Sequence, residues 1–154
     1  MKTLKLSILT IAVLISLNCT AQEYYALGGT SFSNSSNTPK WHERFGYAFG
    51  VGYSNFISDK VGYLAEAQFV NQRSEPNNIH SICGMFAFRI PVSKRIYLDP
   101  GFKIGREMFG VIGLKYEWLK SKRVDFIARY NHPLGNYDSI FKGYGIVGAT
   151  YKFN

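Results

Sequence analysis

Little in this sequence could build a disulfide framework, a metal cluster or a spanning helix. Its 154 residues include two cysteines, and Cys19 lies in a leader, so Cys83 stands alone in the mature chain and no internal disulfide or cysteine-based metal cluster can form. Beyond the leader no stretch reaches the roughly 18 apolar residues that a membrane helix needs. Acidic residues are also few, 10 against 18 Lys and Arg. The basic residues never run longer than two in a row, and an exported chain rarely meets nucleic acid, so no nucleic-acid partner is expected. Metal-ligand and nucleophile motifs are missing, and the chain is read as neither an enzyme nor a cofactor protein.

What the sequence does contain begins with an export signal. Lys2 and Lys5 precede an apolar run from Leu6 to Leu17, and Cys19-Thr20-Ala21 offers a small residue for cleavage before Gln22. Leu17 and Asn18 are not the small residues expected before a lipidated cysteine. Residues 1–21 are read as a signal peptide and 22–154 as one domain. Losing Lys2 and Lys5, with no acid in the leader, takes the net charge from +8 to +6.

The stretch Phe45-Gly46-Tyr47-Ala48-Phe49-Gly50-Val51-Gly52-Tyr53 alternates strictly. Its odd positions are aromatic or β-branched and its even positions nearly bare, which is a strand signal. A strand over a soluble core would put polar groups opposite the bulk. Here the bare face suits the inside of a narrow cylinder whose large side chains meet lipid. High aromatic content (16%) with a mean hydropathy near zero fits the same interleaving.

Eight strands follow from this periodicity: 23–32, 41–57, 61–71, 79–90, a fifth around 96–104, a sixth around 112–118, a seventh around 124–130, and 142–153. Polar loops are expected at Ser33–Lys40, Gln72–Asn78 and Asn131–Phe141, with a compact connection at Gly105–Gly110. The remaining connections are short, an alternation that matches an eight-stranded antiparallel up-and-down transmembrane β-barrel with both termini on the periplasmic side. Paired antiparallel residues share a face, so the short turns fix register. A three-residue turn at 58–60 sets Glu66 opposite Gly52 and Gln68 opposite Gly50. One at 93–95 sets Arg89 opposite Asp99. One at 119–121 sets Glu117 opposite Arg123 and Lys115 opposite Asp125, the alternative being a repulsive Glu117–Asp125 pair. Pro100 lacks a ladder donor, and a bulge is expected there. The first strand leaves its facing open, since Tyr24 and Tyr25 both favour the apolar side.

The stretches Gly46–Tyr53, Ser58–Phe69, Ala128-Arg129-Tyr130-Asn131 and Val147–Phe153 resemble the small, PorT-like outer-membrane β-barrel proteins of Gram-negative bacteria. The resemblance implies an outer-membrane location and outer-membrane lipid as partner. It also implies a terminal strand ending on Phe153, before Asn154, that is read by the barrel-assembly machinery.

The inward faces collect Arg44, Glu66, Gln68, Arg89, Asp99, Lys103, Lys115, Glu117, Arg123, Asp125, Arg129 and Lys152. An eight-stranded barrel is just wide enough to be filled by side chains, so these are read as a plug with a structural or interactive role, the loops meeting an extracellular partner. A narrow, porin-like path for anions is the alternative, given the basic excess. Trp41, Tyr116, Trp118, Tyr130, Tyr151 and Phe153 are read as girdle aromatics facing the membrane. His42, His80 and His132 fall near the long loops, where a lipid-modifying site would need them. His80 and Ser81 point to opposite faces, however. A soluble lipocalin-like carrier would require apolar inward faces, which this pattern does not give.

Overall fold

The computed structural model describes residues 22–33, 45–74, 77–118, 123–135 and 143–153. The leader, Trp41, His42 and Arg44, and the connection 34–40 lie outside them. The described strands are β1 (Gln22–Ser33), β2 (Phe45–Ser58), β3 (Val61–Ser74), β4 (Asn77–Pro91), β5 (Ile96–Ile104), β6 (Met108–Glu117), β7 (Val124–Pro133) and β8 (Tyr144–Lys152). Each pairs antiparallel with its sequence neighbour, and β1 pairs with β8, closing a barrel in simple up-and-down order.

The inversion read from the alternation is present. Outward positions expose Phe49, Ile112 and Phe126 at 52%, 55% and 46%, while inward positions bury Lys103, Asp99 and Arg89 at 0%, 1% and 2%. A soluble core would have this reversed. On the outer wall, rings pack in cross-strand rows: Phe49 lies 5.0 Å from Phe69, and Phe86 lies 5.8 Å from Phe102. Such pairs stabilise antiparallel neighbours.

Tyr24 and Tyr25 divide between the two sides. Tyr24 stands outside, 5.1 Å from the Tyr53 ring. Tyr25 is buried inside, opposite Gly52, where a Cβ would come within 2.5 Å of the Tyr25 ring. Gly52 therefore makes the room that decides the facing of β1.

Register holds in two of the three short connections. Gly52 pairs with Glu66 and Gly50 with Gln68, although the turn is Asp59-Lys60 with a one-residue irregularity between Phe56 and Ser58. The β4–β5 ladder runs from Gly84–Ile104 to Pro91–Tyr97, the alignment that brings Arg89 to Asp99. The bulge expected at Pro100 is not there: rungs are missing between Ala87–Gly101 and Ile90–Leu98, but the alignment on either side is the same. Pro100 withholds a donor without adding a residue.

The third connection departs from expectation. Glu117 pairs with Asp125, and Lys115 with Ile127, the register the like-charge argument rejects. The argument weighed two strands, whereas the closed barrel brings a lysine from β8 to the same carboxylates.

Three connections are also shorter than read. β3 and β4 continue to Ser74 and Asn77, which pair, so the supposed loop Gln72–Asn78 is a hairpin end; Gln72 is polar because it faces inward, not because it leaves the sheet. β6 starts at Met108, leaving a tight turn at 105–107 in which Gly105 N donates to Glu107 O at 3.0 Å. β7 runs to Pro133, inside the stretch read as the last loop, of which 136–141 lie outside the described residues. β4 consequently rises past its neighbour. Its last rung with β5 is Gly84–Ile104, and Asn77 to Cys83 pair with β3 alone among the described residues.

Candidate functional site

Inward alternation places polar side chains from all eight strands inside the barrel, where they meet in layers. Glu66 on β3 and Arg129 on β7 make a bidentate pair, with Nη1–Oε2 and Nη2–Oε1 both 2.5 Å. Three strands lie between β3 and β7 either way round the closed sheet, so this pair joins opposite walls. Tyr25 donates its hydroxyl to Glu66 Oε1 at 2.5 Å and the Gln68 amide donates to Oε2. Forked guanidinium–carboxylate geometry and saturation of the acceptor are what a buried pair needs to hold its charges.

Beside it, Arg89 donates to both carboxylate oxygens of Asp99, at 3.0 and 2.9 Å, and to Ser54 Oγ at 3.0 Å. Toward the short turns lies a five-member cluster. Lys115 Nζ is 3.0 Å from Asp125, 3.3 Å from Glu23 and 3.7 Å from Glu117. Lys152 Nζ is 2.9 Å from Glu23, 3.2 Å from Asp125 and 3.4 Å from Glu117. Two ammonium groups thus sit among three carboxylates, which is why Glu117 and Asp125 tolerate direct pairing. The Tyr97 ring links this cluster to the layer above, with Lys115 Nζ at 5.3 Å and Arg89 Cζ at 5.9 Å from its centre, within cation–π range.

Lys152→Met should therefore destabilise more than an ordinary half-buried lysine. Glu117 and Asp125 would keep a single cation between them, and the loss should be about 1–3 kcal/mol. Adding Glu117→Gln should recover most of it. Urea unfolding of the barrel refolded into lipid vesicles measures both, and equal losses in the single and double variants would refute the bridging role.

At the long-loop end the inner wall changes character. Lys103, 0% exposed, donates to Tyr144 Oη at 3.1 Å. Ala48, Val70, Cys83, Phe109, Tyr144 and Ile146 form an apolar cluster around this level. Cys83 donates its thiol hydrogen to the Gln68 carbonyl at 3.6 Å. In the β5–β6 turn, burial holds the Glu107 carboxyl above the usual carboxylate range.

Of the residues expected in the lumen, Glu66, Gln68, Arg89, Asp99, Lys103, Lys115, Asp125 and Arg129 are buried there, and Glu117 and Lys152 line its short-turn mouth. Arg123 is not among them. It is exposed ahead of β7, beyond the last β6–β7 rung, and its backbone carbonyl accepts from Lys152 N at 2.7 Å. The register that was to place it against Glu117 does not form. The girdle residues Tyr116, Trp118, Tyr130, Tyr151 and Phe153 are all exposed on the outer wall, where Trp118 meets the Phe126 ring edge-on at 5.5 Å.

His80 and His132 are exposed, and the amide of Asn71 meets His80 Nδ1 at 3.0 Å. No group of three metal-ligating side chains occurs among the described residues. Parity puts Ser54, Tyr97 and Tyr144 on inward faces, where they join the inner network; Glu23 and Tyr25, on the strand of open facing, were missed. Their signal was parity: Glu23 and Tyr25 share a face once Tyr25 is set opposite Gly52.

No protein-family model matches this chain, and no curated protein sequence matches it. Solved structures do. The crystal structure of Ail, the attachment invasion locus protein of Yersinia pestis, superposes with a TM-score of 0.60 at 11% identity, covering 86% of this chain and 97% of that one. The backbone structure of the Yersinia pestis outer membrane protein Ail in a phospholipid bilayer nanodisc gives 0.56 at 12% identity, covering 86% and 100%. At this identity the likeness concerns the fold, and it agrees with the topology: the chain folds as an eight-stranded β-barrel of the outer-membrane type.

Proposed function

We propose that this chain is an exported outer-membrane barrel, closed to solutes, that serves the envelope as a structural element and meets an extracellular partner with its long-loop rim. The Glu66–Arg129 pair carries the reading. A bidentate contact between opposite walls leaves no continuous water path past that level unless it breaks, and breaking it strands two buried charges. The Arg89–Asp99 pair and the lysine–carboxylate cluster add two further barriers below it. Side chains fill barrels of this size, whereas open aqueous channels belong to those of about 16 strands.

The rim supports the interactive half. β4 extends past β5, and beyond the Gly105 turn its edge from Asn77 to His80 pairs with β3 alone among the described residues; an open edge is a template for an added strand. An outer face of aromatic and aliphatic side chains suits outer-membrane lipid as the surrounding medium. The signal peptide, with cleavage near Ala21/Gln22, and a terminal strand ending on Phe153 suit export and the barrel-assembly machinery, in keeping with kinship to the PorT-like barrels. The reading assigns no catalysis and no cofactor.

Planar-bilayer recording tests the closed lumen. The expected trace is flat, and reproducible anion-selective steps would replace this reading with a narrow pore. Outer-membrane fractionation followed by heat-modifiable gel migration tests the location.

A further inference from the structure

Inside the barrel, opposite charges meet: Arg89, Arg129, Lys115 and Lys152 each have a carboxylate oxygen within 3.0 Å. At the short-turn rim they do not. Lys60, Lys94, Arg95 and Arg123 are exposed, and among the described residues none of the four forms an ion pair. Asp59 is the one exposed acid among the described residues of these turns. Glu117, whose backbone meets Arg95, has its carboxylate on Lys115 and Lys152.

The rim cations sit at a definite depth. Glu117 N donates to the Arg95 carbonyl at 2.9 Å, and Lys152 N to the Arg123 carbonyl at 2.7 Å. Arg95 is one residue before Ile96, which pairs with Tyr116, and Arg123 one before Val124, which pairs with Tyr151. Lys94 is two residues before Ile96. Tyr116, Trp118 and Tyr151 are exposed aromatics of this end, the kind of ring that settles at headgroup level. One strand residue spans about 3.4 Å, so these charges begin just beyond the rings, where lipid phosphates lie.

We infer that the short-turn rim is a collar for phospholipids of net negative headgroup, whose phosphates are drawn to Lys60, Lys94, Arg95 and Arg123. The inference rests on the outer-membrane reading above, since it takes lipid to surround the barrel. Charge sets the class of lipid: a zwitterionic headgroup brings an ammonium that the same cations repel. Depth favours lipid over an acidic polymer, which would have to enter the headgroup layer to reach Arg95 and Arg123. Long basic side chains can lay their stems on apolar wall and keep their charged ends at the phosphates. Ile57 and Val92, both exposed, supply such wall beside the first two turns.

The test refolds the full mature chain into vesicles of equimolar phosphatidylcholine and phosphatidylglycerol. The barrel is then extracted in mild detergent, and native mass spectrometry counts the lipids it carries. The expected ratio favours phosphatidylglycerol by about fivefold, the worth of one Lys or Arg beside an anionic surface, and it falls in high salt. The triple variant Lys94→Ser, Arg95→Ser, Arg123→Ser should lose most of that preference. Arg106→Ser, exposed at the long-loop end, should keep it. Heat-modifiable migration verifies that each variant is folded; should the triple variant fail, the salt dependence and Arg106→Ser still decide. A bulk ratio on the inserted wild type, a preference that survives the triple variant, or an equal loss in Arg106→Ser would each overturn the collar. Soluble polyglutamate bound to a wild type that carries the bulk ratio would give the rim to an acidic polymer instead. A chain with no heat-modifiable form in vesicles would refute the outer-membrane reading itself.

Discussion

Glu66→Ala is expected to lower the stability of the refolded barrel by about 3–5 kcal/mol, the loss that follows when one member of a buried pair is removed and the other charge is left behind. Arg129 would keep its guanidinium in the lumen with no carboxylate facing it. Tyr25 and Gln68 would lose their acceptor at the same time. The double variant Glu66→Met with Arg129→Met should regain most of that loss, because two apolar side chains of similar volume carry no desolvation penalty. Equilibrium urea unfolding in lipid vesicles gives both values. A single-variant loss under about 1 kcal/mol would mean that Arg129 finds another partner, and the pair would then not be what locks the walls together.

Ile112→Arg should cost about 2–4 kcal/mol, the penalty for an arginine at the middle of a membrane barrel's outer wall. Ile112 sits in the centre of β6, 55% exposed, between Pro100 on β5 and Tyr130 on β7. In water the same substitution at a position this exposed would change stability by no more than about 0.5 kcal/mol. Ile57→Arg provides the internal comparison. Ile57 is equally exposed, at 57%, but lies beside the Asp59-Lys60 turn, where the penalty should fall to about 0–1 kcal/mol. Equal effects at the two positions would contradict a depth-dependent apolar surround, and with it the lipid-facing wall.

The barrel and its inversion were legible because they rest on parity alone. Phe45 to Tyr53 declares its two faces over nine positions, and every other strand repeats the division less cleanly. Local register was legible where two strands sufficed: Glu66 needs the space of Gly52, and Arg89 needs Asp99. It failed at Glu117 and Asp125 because the deciding group, Lys152, is on β8, a third strand beside β7 that a rule for the β6–β7 pair leaves out. Arg123 was misplaced by the same error. Strand ends failed for a different reason. Gln72 read as a loop residue because polarity marks loops in a protein with a greasy core, but in this one it also marks the interior. The inner site was partly hidden for want of a facing for β1, and Glu23 and Tyr25 went with it.

The Lys152–Glu23 contact is made by the last strand on the first, so the seam of the cylinder is also an electrostatic clasp. Before the two ends meet, Lys115 and Lys152 already face Glu117 and Asp125 across β6, β7 and β8, two charges against two. Closure adds Glu23 of the first strand to both ammonium groups. That acid finds its two cations only when the ends join, so rounding off the cylinder and neutralising its first ribbon are one event.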